Sequence, residues 1–384
     1  MFLIVKDKSA MNETLLTGFN YIVLLKIRNM PNTPFLTVNT KKIEQNAKKM
    51  ATLVHEHGAR LWGVTKVVLG DVAVAKSMLQ GGCDGLADSR IESLKKLRQA
   101  FPKTPLLLIR PPSMSRLKEL VQVDCVSLQS DLETIKILGE VSSSMGRTQK
   151  IVLMVELGDL REGVTEEELF PYVFEVLRTP GIELEGLGAV LTCFAGVVPD
   201  QNTVSKFIEL ASKISSEYKV EIKYLAPAAT NFVPMLMAGK LPRAINDFRI
   251  GEGIILGMNV LDRTPLPGFD VDTVELSCEI IELKSKPSKP TGIVSQDAYG
   301  SHPVFEDRGT RRRAIINIGR GDCIPELLTP LDEGVVVLGG SSDHVVCDVE
   351  DATGLSVGDM LRFRPGYGAL LSLVTSPFVE KVFV

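Results

Sequence analysis

From residue 34 onward, short apolar runs alternate with stretches whose apolar residues recur at helical spacing. Phe35–Asn39 reads as a strand, and Lys41–His57 as a helix with Ile43, Ala47, Met50, Leu53 and Val54 on one face. The alternation continues through predicted strands at Arg60–Val64, Gly85–Ala87, Leu106–Ile109, Cys125–Leu128, Ile151–Leu157, Leu184–Thr192 and Ile222–Ala226. The helices predicted between and after them are Val72–Leu79, Ile91–Ala100, Arg116–Val121, Leu132–Glu140, Glu166–Leu177, Val204–Tyr218 and Asn231–Ala238. The strands are nearly continuous apolar runs, as buried parallel strands are. Repeated βα units of this size predict an α/β chain built on a (β/α)8 TIM barrel. A doubly wound sheet is the alternative, but it calls for a Gly-rich turn after an early strand, and none is present.

After Pro265 the pattern changes. Val274–Leu283, Arg313–Ile318, Val335–Leu338, Val345–Val349 and Met360–Arg364 read as strands, separated by Gly, Pro, Asp and Ser clusters. The expected organisation is a barrel over residues 34–262 and an all-β domain over 263–384. Residues 1–33 read as an N-terminal extension that is not part of the fold. The two apolar patches in that segment are too short for a membrane span and lack the continuous apolar core of a signal peptide, which predicts a soluble, cytoplasmic protein.

Composition adds exclusions. Over 384 residues, 45% are hydrophobic and 23% charged, which is a globular balance. A net charge of −4 gives no footprint for nucleic acid. Six scattered cysteines with no C-x-x-C pair suggest reduced thiols rather than a disulfide framework. His55-Glu-His57 sits at a predicted helix end without metal spacing. Asp343-His344-Val-Val-Cys347 places residues three apart on opposite faces of a strand, so no metal is expected there either.

In a barrel, chemistry collects where strands end. The second predicted strand closes on Lys66, which is either a Schiff-base amine or a lysine snorkelling at the rim. Later ends carry Glu156-Leu-Gly-Asp159-Leu-Arg161-Glu162, Leu191-Thr-Cys193-Phe194-Ala195 and Ala229-Thr230-Asn231, followed by Arg249-Ile-Gly251-Glu252-Gly253. The last two resemble helix starts able to bind phosphate through free N–H groups, although Gly251 and Gly253 also suit an ordinary turn.

Together, Lys66, Arg161, Thr192-Cys193-Phe194-Ala195, Arg249-Ile-Gly251 and the trailing β region resemble fold-type III pyridoxal-phosphate enzymes of the alanine-racemase superfamily. The likeness spans residues 34–384. The Asp159-Leu-Arg161-Glu-Gly, Leu191-Thr-Cys193-Phe, Gly339-Gly-Ser-Ser342-Asp343-His344 and Gly366-Tyr367-Gly stretches look most like ornithine racemase and broad-specificity amino-acid racemases.

The resemblance implies pyridoxal 5'-phosphate bonded to Lys66, which also serves as one proton-transfer base. It implies Arg249 at the pyridine nitrogen, where a permanently charged guanidinium keeps that nitrogen unprotonated. Thr230, with the backbone of Asn231, Gly251 and Glu252, would take the phosphate, and Tyr367 is a further candidate. Arg161, Ser342, Asp343 and Tyr299 would lie near the substrate, and Cys193 stands where alanine racemases carry a histidine beside the ring.

Two departures matter. The position four residues after the lysine, a tyrosine in alanine racemases, is Gly70. The tyrosine base of their C-terminal domain is replaced by Arg320 in Ile318-Gly-Arg320-Gly-Asp322, and arginine is a poor base. His344 is the expected second base, with Cys193, Asp343 and Tyr299 as alternatives. The likeness further implies a homodimer in which His344 and Asp343 act across the interface. The expected activity is two-base proton transfer at Cα of a free amino acid, ornithine or lysine, with Asp159, Glu162 or Glu252 meeting a distal ammonium. A fold-type III D-amino-acid aldolase or dehydratase, and a non-catalytic pyridoxal-phosphate homeostasis protein, are the alternatives.

Overall fold

The computed structural model describes residues 33–384; the expected extension, residues 1–33, falls almost wholly outside them. The chain opens with β1 (Phe35–Val38). It then runs through eight parallel strands: β2 (Arg60–Val64), β3 (Gly85–Asp88), β4 (Leu106–Leu108), β5 (Val126–Gln129), β6 (Gln149–Val155), β7 (Ile182–Ala189), β8 (Tyr224–Ala226) and β9 (Asp247–Ile250). Their order is β8-β7-β6-β5-β4-β3-β2-β9. A bridge between Ala228 and Phe248 closes the ring, and Arg249 N donates to Ala228 O at 3.0 Å beside it. Helices Thr40–Glu56, Val72–Gln80, Ile91–Ala100, Leu132–Ser144, Glu166–Arg178 and Gln201–Tyr218 pack their apolar stripes on the outside.

Eight barrel strands are present, but not the expected eight. β1 leaves the barrel and pairs antiparallel with β10 (Val274–Pro287), Phe35 opposite Ser277. Its burial alternates along the strand, the mark of a sheet covered on one face. The place it leaves is taken by β9, whose Asp247-Phe-Arg249-Ile hides a strand behind two charges. Both charged side chains have partners inside the ring. Asp247 Oδ1 accepts from Arg60 Nε and Trp62 Nε1, each at 2.8 Å, and Arg249 is described below. The barrel is filled by Trp62, Val64, Ala87, Leu107, Leu128, Val152 and Met154, an inner core separate from the strand–helix layer.

The second sheet adds β11 (Thr310–Ile316), β12 (Leu328–Pro330), β13 (Val336–Gly340), β14 (Val345–Asp348), β15 (Met360–Pro365) and β16 (Glu380–Phe383). Its order is β12-β15-β10-β11-β14-β13, with β1 joining β10 to β16. One helix, Tyr367–Thr375, departs from the expected all-β texture. Its apolar residues lie nearly all round, so no 3.6-residue stripe stands out in the sequence. No helix among the described residues is long and apolar enough to cross a membrane.

Candidate active site

At the ends of the barrel strands lies a cavity of about 330 Å³. Nine expected residues line it: Lys66, Arg161, Cys193, Thr230, Asn231, Arg249, Gly251, Glu252 and Tyr367. Lys66 starts a short 3-10 turn directly after β2, with its Nζ 5.9 Å from the centre of the Tyr367 ring. Tyr367 arrives from the other sheet, at the first turn of helix Tyr367–Thr375. Burial pushes its hydroxyl up to about 12, so it stays a hydrogen-bond donor throughout the neutral range.

Arg249 is the most informative side chain. It is only 7% exposed, and one guanidinium nitrogen donates to Ala189 O at 2.7 Å and to Ala226 O at 2.8 Å. Burial lowers its pKa, and the charge of Asp247 opposes that shift. No carboxylate stands within ion-pair distance, and its buried Nε has no partner among the described residues. A buried guanidinium held by carbonyls through one nitrogen only, with its Nε–H unpaired, is short of acceptors.

Charge and backbone point the same way. The cavity wall carries Lys66, Arg161, Arg249 and Arg263 against the single carboxylate of Glu252. Thr230–Phe232 and Glu252–Ile255 both begin helical turns at the wall, where the first N–H groups lack intrahelical acceptors. Thr230 Oγ1 accepts from Gly253 N at 3.3 Å, which ties the two turns together. A Cβ at Gly251 would stand 3.1 Å from both Cβ and O of Val64, so a larger residue would have to push this corner a few tenths of an ångström away from β2. Together, the orphaned Arg249 Nε, the cationic wall and the paired turns fit a planar, acceptor-bearing, doubly anionic cofactor.

Asp159 differs from expectation. It was a candidate acceptor for a substrate ammonium, but it is fully buried and accepts from the N–H groups of Cys193, Phe194, Ala195 and Val197 at 3.1, 2.9, 3.2 and 3.4 Å. Glu162 is also engaged, since Arg161 donates to its Oε1 at 2.5 Å. The loops after β6 and β7 are therefore stapled, and the staple sets Arg161 and Cys193 at one rim.

Gly70 has a physical reason. Its φ is +61°, and a Cβ there would lie 2.7 Å from Ser93 Cβ, so a tyrosine at this position requires the turn to be rebuilt.

Ser342, Asp343 and His344 form the exposed β13–β14 turn and do not line this chain's cavity; neither does Tyr299. Arg320 spans the base of that turn. It donates from Nε to Gly340 O at 2.9 Å, pairs with Glu326, and lies 5.3 Å over the Tyr299 ring.

Two further charged residues, one at the end of β3 and one on the cavity wall, are not among those the sequence points to. Asp88 ends β3 and is 1% exposed, accepting from Thr65 Oγ1 at 2.7 Å and Arg90 N at 3.0 Å. The strand-end rule that found Lys66 would also have found it. Arg263 lies in a turn after the last barrel element, with only the Asp262-Arg263-Thr264-Pro265 cluster to mark it.

The comparisons agree with this geometry. Residues 38–255 match the family model for the alanine racemase N-terminal domain. Ornithine racemase of Acetoanaerobium sticklandii is 35% identical over 350 residues, 91% of this chain and 99% of that protein. Lysine racemase of Thermotoga maritima is 37% identical over 350 residues, 91% of this chain and 98% of that protein. Among solved structures, alanine racemase from Bartonella henselae with covalently bound pyridoxal phosphate superposes with a TM-score of 0.68 at 15% identity, covering 92% of this chain and 100% of that one. A strand-end lysine, an arginine held by carbonyls and a second sheet that lends a tyrosine thus stand in a chain that belongs to the alanine racemase family.

Proposed function

We propose that this protein is a pyridoxal-phosphate-dependent racemase of free amino acids, with ornithine or lysine as substrate. The observation that carries the reading is the buried Arg249 with an unpartnered Nε, in a cavity that also presents Lys66. Two relatives more than 30% identical over nearly their whole length support the substrate class.

Bound pyridoxal phosphate supplies an electron sink that makes the substrate's α proton acidic. The chain's residues do the rest. Lys66 Nζ anchors the cofactor and moves the proton on one face. Arg249, held by Ala189 O and Ala226 O, is the donor for the ring nitrogen and denies it a proton. Thr230 and the backbone of Asn231, Gly251 and Glu252 would hold the phosphate, and the Tyr367 hydroxyl would add a donor there. The Arg161 fork suits the substrate carboxylate.

Racemisation needs a second group on the opposite face. We assign it to His344 of a second copy, in a homodimer whose β13–β14 turn, with Ser342 and Asp343, covers the partner's cavity beside Tyr299. Full exposure of that turn in the single chain supports the assignment. Cys193 is the alternative because it already lines the cavity.

The test is a visible absorbance band that borohydride abolishes, with cofactor mass added at Lys66, together with deuterium entry at Cα of D- and L-ornithine and lysine in heavy water. Exchange into either amino acid supports the reading. A band without exchange into ornithine, lysine or alanine leaves a carrier and defeats it.

A further inference from the structure

Glu252 is the one carboxylate in a cationic cavity wall, and its side chain is 10% exposed. Burial raises its pKa, and the charge of Arg263 opposes that shift. Arg263 NH1 donates to Glu252 Oε1 at 2.5 Å, while the arginine side chain is 64% exposed at the cavity rim. Its other N–H groups have no partner among the described residues.

A tight turn presents Arg263 at the cavity rim. Arg263 holds φ +62°, a left-handed conformation unfavourable for a side-chain-bearing residue. Surrounding bonds impose it: Asn259 N to Thr264 O at 2.8 Å, Arg263 N to Asn259 O at 3.0 Å, and both Thr264 N and Thr264 Oγ1 to Asp262 Oδ1 at 3.0 and 2.7 Å. A bridge between Met258 and Pro265 closes the turn. The pair also sits on the side of the cavity where Gly251 meets Val64 and Thr230 meets Gly253.

We propose that Arg263 binds the phosphate group of the cofactor, with Glu252 as its positioning residue. This rests on the pyridoxal-phosphate reading above. A phosphate beside the Thr230 and Glu252 turns faces the Glu252 carboxylate, and the two repel. Arg263 removes the conflict, because its planar fork serves the carboxylate with one nitrogen and keeps others for phosphate oxygens.

The test uses the holoenzyme. Cofactor retention on dilution is followed by visible absorbance, and reloading is compared for pyridoxal phosphate and for pyridoxal, which lacks the phosphate. R263Q is expected to weaken pyridoxal phosphate about tenfold and to leave pyridoxal unchanged. R263K keeps most of the affinity. Adding E252Q to R263Q restores part of the loss, because the repelling charge is gone.

Unchanged phosphate-form affinity in R263Q, or equal weakening of both forms, overturns the proposal. A raised KM for the amino acid with cofactor affinity intact overturns it too, and assigns Arg263 to the substrate carboxylate. If wild type shows no band with pyridoxal phosphate, the cofactor reading itself fails. A wild-type band with an indifferent R263Q sinks the Arg263 role alone.

Discussion

Arg249 sits in the barrel without a carboxylate at ion-pair distance among the described residues, anchored by two carbonyls and with its Nε unpartnered. Arg249→Gln removes the charge and keeps a donor of similar size. We expect kcat to fall about a hundredfold with the visible cofactor band retained, since a preorganised electrostatic group aimed at the reacting system is worth roughly that much. Steady-state racemisation checks this. At the second base, His344→Ala is expected to abolish turnover in both directions with cofactor absorbance kept, whereas Cys193→Ser stays within about fivefold of wild type. The reverse result moves the role to Cys193. Asp88 gives a stability prediction. Burial raises its pKa from the ordinary aspartate value, against the pull of its hydrogen bonds, so its contribution to stability is greatest at acid pH and is lost as pH rises through the folded-state value. Asp88→Asn removes that pH dependence, so the melting temperature of wild type is expected to fall relative to the variant as the pH rises from 4 to 7; thermal melts across that range decide it.

At the level of elements, the staple between the loops after β6 and β7 has one carboxylate serving four N–H groups. Asparagine cannot accept them all. Asp159→Asn is expected to cost about 2 kcal/mol and to speed amide exchange in residues 158–164 and 192–198. Its KM rises more than kcat falls, because Arg161 loses its fixed place. Protection confined to wild-type level in those loops would refute the coupling. The same scale shows what the sequence could carry. Helix Ile91–Ala100 is predicted to the residue, because Ile91, Leu94 and Leu97 form a clean buried stripe. β9 was passed over because Asp247 and Arg249 interrupt its apolar run, and only the ring's interior reveals their partners. β1 was placed in the wrong sheet because four residues are too few to separate alternation from continuous burial. Lys66 and Arg161 are legible from their places at or just after predicted strand ends, whereas Arg249 is legible only through the family resemblance. Arg263 is not legible, because its place depends on a turn that folds back to the cavity.

For the whole molecule, His344 lies on an exposed turn away from its own chain's cavity, so the proposed site needs two chains. Mixing Lys66→Ala with His344→Ala after mild unfolding and reassembly is the direct check. If the sites are shared, each mixed dimer holds one intact site, and activity returns to about a quarter of wild type. If each chain works alone, nothing returns.

The placing of β1 carries a last consequence. Glu380 N donates to Pro34 O at 3.1 Å, Thr40 N to Val384 O at 2.8 Å, and Val384 N to Val38 O at 3.0 Å. The head and tail of the described chain are thus laced together like the ends of a belt. Joining residue 384 to residue 33 through a few glycines and opening new termini near Gly292 should yield a circularly permuted protein that still folds, whereas residues 34–262 made alone leave β1 with an unpaired edge.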